Sequence, residues 1–183
     1  MSGREYLEPV RFLIVDDNAF SRQLVRAIIH QFGARYIYEA GNGDEAKEGV
    51  KSFNPDIIIV DWMMAPVDGM QFVKWLREAD DSPSPFTPVI MVTSYSHMES
   101  VMQARDAGIN EFLAKPISAK SLLKRIQSVI DHPRQYVRAD EYFGPDRRRR
   151  DMPHTGPNRR DDGFYESGDY DDDDIVDLNP NKG

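Results

Sequence analysis

The 183-residue sequence contains no cysteine, which excludes a disulfide framework and a thiolate metal site. It also lacks any apolar run that approaches the length needed to span a membrane. A signal peptide needs an apolar core, but the N-terminal residues include the charged Arg4, Glu5 and Glu8. We therefore expect a cytoplasmic protein that does not insert into a membrane.

Charge divides the sequence into three parts. Residues 1–133 carry a net charge of −4, residues 134–160 contain eight arginines and carry +4, and residues 161–183 carry −8. Apolar periodicity disappears beyond Pro133, and such a segment cannot bury enough surface to offset its ordering entropy. We predict a domain at residues 9–131, an arginine-rich tail at 132–162 and an acidic disordered tail at 163–183, with the whole tail disordered unless bound.

Five apolar runs alternate with five amphipathic segments in the first part. The runs predict strands at residues 10–15, 35–40, 56–60, 89–93 and 111–114. Asn18 and Ser118 are suited to cap the first and last helices, and His132-Pro133 ends the last one. Strands that alternate with helices pair in parallel through right-handed crossovers. The sequence therefore predicts a doubly wound α/β sheet.

The third predicted strand organises the site. Its aliphatic run Ile57–Val60 is typical of a central strand buried on both faces, and Asp61 follows it directly. Ligands of open parallel sheets bind at the carboxyl ends of the strands. Polar residues also end or follow the other strands there, namely Asp16, Asp17, Thr93 and Lys115.

Clustered carboxylates repel one another, so a site that keeps them ionised usually needs a hard cation such as Mg²⁺. A nucleophilic carboxylate with a cation at its rim suits phosphoryl transfer to aspartate. Lys115 and the metal would stabilise charge on the phosphoryl oxygens, and Thr93 would hydrogen-bond one of them.

These motifs resemble the receiver domains of two-component response regulators, which are CheY-like. The residues that carry the resemblance are Asp16-Asp17, Asp61, Thr93-Ser94 and Lys115-Pro116, and it covers about residues 9–131. It implies a flavodoxin-like five-stranded parallel sheet with strand order 2-1-3-4-5. It also implies that the chain is no enzyme beyond self-phosphorylation from a donor and slow self-hydrolysis.

The resemblance also assigns roles to single residues. Asp61 would be the phosphoacceptor and Asp17 a direct Mg²⁺ ligand, whereas Asp16 would act through water and the Met63 carbonyl would complete the protein ligands. Thr93 and Phe112 would act as the switch that couples phosphorylation to the surface formed by the fourth helix, fifth strand and fifth helix.

Three further points bear on the resemblance. Pro66 lies one place later than is usual after the acceptor, and Met63 stands where many relatives have a polar side chain. No histidine is placed for phosphotransfer, so the donor must be a histidine kinase or a phosphotransfer protein.

A rival motif, Gly41-Asn42-Gly43-Asp44-Glu45-Ala46, fits the G-x-G-x-x-A pattern of dinucleotide binding. However, it follows the second predicted strand instead of the first. A turn followed by a helix cap explains its glycines equally well, so we favour that interpretation.

The arginine-rich tail contains an internal repeat. Gly144-Pro145-Asp146-Arg147-Arg148 recurs as Gly156-Pro157-Asn158-Arg159-Arg160, and each copy gives an R-x-x-D spacing, to Asp151 and Asp162. Arginine grips a guanine edge or a phosphate bidentately, an aspartate accepts from guanine N–H groups, and aromatic rings stack on bases. A plain solvated charge run would not need the repeat.

The combination of receiver and tail is similar to the CheY-like cyclic di-GMP effectors, which act at the flagellar motor. The predicted ligand-binding residues are Arg147, Arg148, Asp151, Arg159, Arg160, Asp162, Tyr142 and Phe143. A downstream protein such as a flagellar switch component would then be the target.

Two other functions stay open. One is a plain phosphorelay shuttle or phosphate sink whose tail binds a protein. The other is a nucleic-acid-binding regulator, which we do not favour because the adjoining acidic segment should repel a long polyanion.

Overall fold

The computed structural model describes residues 6–94, 98–139 and 142–146. It confirms the alternation of strands and helices that the apolar runs predict. The strands of the domain are β1 (Arg11–Val15), β2 (Tyr36–Ala40), β3 (Ile57–Asp61), β4 (Val89–Thr93) and β5 (Glu111–Ala114). The helices are α1 (Ala19–Gln31), α2 (Gly43–Phe53), α3 (Gly69–Glu78), α4 (Met98–Asp106) and α5 (Ala119–Asp131).

The five strands form one sheet in the order β2-β1-β3-β4-β5, and all neighbouring pairs are parallel. This is the predicted flavodoxin-like order. From β1 the chain adds β2 on one side of the sheet and then β3, β4 and β5 on the other side. The carboxyl ends of β1 and β3 therefore border the crevice where such folds bind ligands.

Side chains that alternate along each strand build two cores, one on each face of the sheet. Phe12, Ile59 and Val92 pack with residues of α1 and α5 on one face. Leu13 and Val60 pack with residues of α2 and α3 on the other. The central strand β3 is buried along its whole length, as its unbroken aliphatic run predicts.

Polar caps fix where the helices begin. The Asn18 side chain accepts from the backbone N–H groups of Phe20 and Ser21 at 2.9 and 3.2 Å, so α1 starts directly after the Asp16-Asp17 pair. Ser118 caps α5 by accepting from the Ser121 N–H at 3.0 Å. Both predicted caps are confirmed.

The prediction of a disordered chain beyond Pro133 is wrong for the eight residues of two short strands. Strands β6 (Tyr136–Ala139) and β7 (Tyr142–Pro145) form an antiparallel hairpin. Aromatic contacts join this hairpin to the domain: the Phe86 ring lies 5.5 Å from that of Tyr136 and 5.4 Å from that of Phe143, centroid to centroid. Both contacts are edge-to-face, an arrangement that adds stability beyond area burial.

A buried arginine, Arg77, lies beneath this hairpin and contacts it. Arg77 is only 2 % exposed and donates to the carbonyl oxygens of Pro85, Thr87 and Gly108 at 2.7 to 3.0 Å. The guanidinium lies 5.2 Å from the centroid of the Tyr136 ring, a cation–π contact. Arg77 thereby ties the end of α3 to the loops before β4 and β5 and to the hairpin.

The backbones approach closely at two glycines. A Cβ on Gly144 would lie 2.7 Å from the Gly108 Cα, and Gly108 itself has φ of +87°. The hairpin can rest on this turn only because neither residue carries a side chain.

No helix in the part of the chain that the structure describes is long and apolar enough to cross a bilayer.

Candidate functional site

The acceptor predicted from sequence lies at the end of the central strand. Asp61 is the last residue of β3 and is 7 % exposed. The register pairs Asp61 with Val92 of β4 and Val60 with Val15 of β1. Asp16, which follows Val15, and Thr93, which follows Val92, therefore reach the same edge of the sheet as Asp61.

Three carboxylates meet at this edge. Asp16, Asp17 and Asp61, called here the acidic cluster, each offer a carboxylate oxygen, and these oxygens lie within 4.8 Å of one another. Asp16 is 5 % exposed, whereas Asp17 is exposed to solvent. The cluster therefore has a buried floor and one open side.

Lys115 is the cation at the rim of the acidic cluster. Its Nζ lies 2.8 Å from Asp61 Oδ1 and 3.1 Å from Asp16 Oδ2. The chain positions it there because Lys115 follows β5 directly, and its backbone N–H donates to the Thr93 carbonyl at 2.7 Å. One ammonium group thus bridges two carboxylates that are 45 residues apart in the sequence.

Burial and the positive charge of Lys115 have opposite effects on the pKa of Asp61. Burial raises the pKa of Asp61 above its ordinary value, and the negative charges of Asp16 and Asp17 raise it further, although the Lys115 hydrogen bond and charge oppose this. Burial alone would lower the pKa of Lys115. The hydrogen bonds and charges of Asp61 and Asp16 outweigh that effect, so the Lys115 pKa is raised and the group stays an ammonium.

The loop after the acceptor turns back over the end of β3. The Gly69 N–H donates to the Trp62 carbonyl at 2.9 Å, and a Cβ on Gly69 would lie 2.2 Å from the Asp61 carbonyl oxygen. Only glycine fits this close approach. The first residue of α3 is therefore in direct backbone contact with the acceptor.

The acidic cluster fits the predicted Mg²⁺. Magnesium prefers oxygen ligands and is usually bound by one or two carboxylates while it keeps several waters. Asp17 and Asp61 can serve as such carboxylates, and the open side at Asp17 leaves room for water. Asp16 carries donors on both of its oxygens, which suits the predicted contact through water. The role of the Met63 carbonyl stays a prediction.

The two predicted switch residues lie on neighbouring strands, and only Thr93 reaches the edge of the sheet that carries the cluster. Thr93 is fully buried at the end of β4, and Phe112 is half-buried in β5 against the core that α3 and α4 cover. The Met63 side chain is 56 % exposed. Its thioether is a weak hydrogen-bond acceptor beside the acidic cluster.

Most of the predicted cyclic di-GMP site lies outside the described residues. These are Arg147, Arg148, Asp151, Arg159, Arg160 and Asp162. The other two members belong to the hairpin: the Tyr142 hydroxyl donates to the Pro145 carbonyl at 2.7 Å. The Arg138 guanidinium lies 4.8 Å from the centroid of the Phe143 ring.

Two residues that contact Asp16, namely Ser21 and Arg22, were not predicted from the sequence. The Ser21 hydroxyl donates to Asp16 Oδ2 at 2.6 Å, and Arg22 donates to the Asp16 backbone carbonyl, also at 2.6 Å. Both lie in the first turn of α1. Their position three and four residues after the Asn18 cap was the available signal, because the first turn of a helix faces the strand end that precedes it.

The chain matches a known protein family over most of its folded part. Residues 12–127 match the model of the response regulator receiver domain. The chain is 31 % identical over 121 residues to the chemotaxis protein CheY of Bacillus subtilis, covering 66 % of this chain and 98 % of that protein. It is 32 % identical over 120 residues to the Escherichia coli phosphate regulon transcriptional regulatory protein PhoB, covering 66 % of this chain but only 51 % of PhoB.

Solved structures agree with this match. Chemotaxis protein CheY4 of Vibrio cholerae is 31 % identical, with a TM-score of 0.60 over 66 % of this chain and 98 % of that one. CheY of Borrelia burgdorferi, in a CheX–CheY–BeF₃–Mg²⁺ complex, is 28 % identical, with a TM-score of 0.60 over 66 % of this chain and 89 % of that one.

The raised pKa of Asp61 predicts how stability depends on pH when no divalent ion is present. The folded state binds a proton on Asp61 more tightly than the unfolded state, so this group stabilises the fold below the ordinary carboxyl pKa, about 3.9. That contribution is lost as pH rises through the folded pKa. The difference between the free energies of unfolding of Asp61→Asn and of the wild type should therefore shift in favour of Asp61→Asn as pH rises above about 4. Urea unfolding in chelator, at several pH values, measures it.

Glu78 provides the control, since it is an exposed carboxylate on α3 without a hydrogen bond or ion pair among the described residues. Glu78→Gln should show no such trend. A wild type that gains on Asp61→Asn as pH rises would mean that Lys115 dominates the pKa of the acceptor.

Proposed function

Because the chain belongs to the response regulator receiver domain family and so has a histidine kinase or phosphotransfer partner, we propose that it accepts a phosphoryl group on Asp61. The observation that carries this proposal is the Lys115 ammonium, 2.8 Å from Asp61 Oδ1 and 3.1 Å from Asp16 Oδ2. That ammonium sits where negative charge develops when a phosphoryl group reaches the acceptor.

The reaction is an exchange of one bond for another at phosphorus. An Asp61 carboxylate oxygen forms the new bond as the bond from phosphorus to the donor's imidazole nitrogen breaks. Lys115 turns from the carboxylates to a phosphoryl oxygen, and the buried Thr93 hydroxyl donates to another. Asp17 and Asp61 directly, and Asp16 through water, would hold a Mg²⁺ ion, which would supply further positive charge at the phosphoryl oxygens. The chain is a phosphoacceptor, with activity limited to self-phosphorylation and slow self-hydrolysis.

The buried position of Thr93 supports its role as the switch. Its side chain is 0 % exposed, so movement toward the phosphoryl group opens space inside the domain. Phe112, half-buried in the neighbouring strand, is the side chain placed to respond. The surface of α4, β5 and α5 then changes for a downstream protein.

The arginine-rich tail gives the proposed second input. The family match ends at residue 127, and the repeated Gly-Pro-Asp/Asn-Arg-Arg unit with its R-x-x-D spacings lies beyond it. Each unit offers a guanidinium pair for phosphate or a guanine edge and a carboxylate for guanine N–H groups. Cyclic di-GMP presents both kinds of group in one compact ligand. The chain would thus act in the cytoplasm as a two-input adaptor for a target such as a flagellar switch component.

Phosphorylation by a small acyl phosphate tests the first proposal. With Mg²⁺ and acetyl phosphate, the wild type should gain a phosphoryl group that mass spectrometry detects, and Asp61→Asn should gain none. Lys115→Gln should slow the labelling by about 10²- to 10³-fold, the usual cost of one preorganised donor to a developing charge.

Lys74→Gln is the matched control, since Lys74 is an exposed lysine on α3 with no hydrogen bond or ion pair in the described part of the chain. Its labelling rate should equal that of the wild type. Labelling of Asp61→Asn at the wild-type rate would refute Asp61 as the acceptor.

Calorimetry with cyclic di-GMP tests the second input. Replacing Arg147, Arg148, Arg159 and Arg160 by alanine should weaken binding by more than about 100-fold. Hydrogen bonds to charged groups contribute roughly 1.5–3 kcal/mol each, which is about tenfold or more in affinity per bond.

Two double variants distinguish specific binding by the repeat from non-specific electrostatic attraction to the arginines. Arg159/Arg160→Ala and Arg149/Arg150→Ala each remove two positive charges, but only the first pair belongs to the repeat. The first should lose far more affinity than the second. The repeat would be ruled out as the binding unit if both double variants lost the same affinity for cyclic di-GMP. It would also be ruled out if the quadruple variant bound cyclic di-GMP as tightly as the wild type. A steep salt dependence of binding to random DNA would favour the nucleic-acid alternative.

A further inference from the structure

Asp16 is the most fully bonded carboxylate of the acidic cluster. Its Oδ1 accepts from the Asn18 backbone N–H at 2.8 Å. Its Oδ2 accepts from the Ser21 hydroxyl at 2.6 Å and from Lys115 Nζ at 3.1 Å. The side chain is 8 % exposed, so these donors replace most of the water that a free carboxylate would hold.

The three donors differ in whether their hydrogen bonds to Asp16 would persist when a phosphoryl group is transferred. The Asn18 N–H is backbone and orients one oxygen only. Lys115 is shared with Asp61, and the proposed transfer turns it toward a phosphoryl oxygen. Among the described residues, Ser21 is the only side chain that binds the Asp16 carboxylate without also binding the acceptor.

The Ser21 hydroxyl is committed to this contact. A serine inside a helix commonly donates to the carbonyl four residues earlier, as Ser52 does to Glu48 on α2 at 2.7 Å. Ser21 instead donates out of the helix, to a carboxylate five residues earlier. Its backbone N–H is bound by the Asn18 cap, which fixes the turn from which the hydroxyl projects.

We propose that Ser21 is a positioning residue for the divalent cation of the acidic cluster. It holds the Asp16 carboxylate in one orientation, so that the remaining lone pairs of Asp16 face Asp17 and Asp61 when Lys115 turns away. This inference rests on the proposed phosphoacceptor function, since it concerns the cation of the same site. Residues that orient metal-site carboxylates typically change metal affinity by 10- to 100-fold when removed.

The test is the Mg²⁺ affinity of the full chain, measured by calorimetry and by tryptophan fluorescence in a Trp75→Phe background, which leaves Trp62, next to the acceptor, as the single tryptophan. Ser21→Ala should bind Mg²⁺ about tenfold more weakly than the wild type, the lower end of that range. Ser21→Thr keeps the hydroxyl and should restore the affinity to within about threefold. Ser52→Ala removes a helix serine far from the cluster and should bind as the wild type does.

Thermal unfolding in chelator separates positioning from a merely structural role. Ser21→Ala loses a donor to a buried carboxylate and should melt somewhat below the wild type in chelator, although alanine is the better helix former. It should still be fully folded at the temperature of the titration, where its Mg²⁺ affinity falls. A Ser21→Ala affinity equal to that of the wild type, or a Ser21→Thr as weak as Ser21→Ala, would overturn the inference and leave the phosphoacceptor function standing. A wild type that binds no Mg²⁺ and accepts no phosphoryl group would overturn both.

Discussion

The ion pairs of Lys115 are the interaction on which the site depends. Three carboxylates lie within 4.8 Å of one another at one edge of the sheet, and their mutual repulsion must be offset for the fold to hold them there. In the described part of the chain the single ammonium that bridges Asp61 and Asp16 does this. The same group is the one that a transferred phosphoryl group would draw away, so stability and signalling share one contact.

The parallel sheet brings Lys115 and the carboxylates together, and α3 connects this edge of the sheet to the hairpin. Parallel order places the ends of β1, β3, β4 and β5 at one edge, so residues distant in sequence become neighbours. Gly69 touches the acceptor backbone, and Arg77, eight residues later on the same helix, supports the hairpin. One helix, α3, therefore runs from the acceptor loop to the hairpin, which follows the residues that match the family model.

The strands, the helix starts and the acidic cluster could be predicted because each depends on local patterns, whereas the strand order was predicted from the family resemblance. Aliphatic runs that end in carboxylates specify strands and their polar ends, and Asn18 and Ser118 specify helix starts. The hairpin could not be predicted in the same way. Tyr136 and Phe143 are ordered by tertiary contacts with residues at least 50 positions earlier, Phe86 and Arg77. The charged residues around them mask a short apolar alternation in the sequence. Ser21 was missed because its position in the first turn of α1 indicates only that it lies near the end of β1. That its hydroxyl donates to Asp16 and not to a carbonyl of its own helix is a tertiary contact.

Anomalous diffraction from crystals soaked in Mn²⁺ and beryllofluoride tests the central claim most directly, since Mn²⁺ accepts the same carboxylate ligands as Mg²⁺. The account predicts one strong peak in contact with the Asp17 and Asp61 carboxylates, with beryllofluoride on Asp61 and Lys115 Nζ turned toward a fluorine. A peak elsewhere, or Lys115 still bridging Asp61 and Asp16 beside an unmodified acceptor, would contradict it.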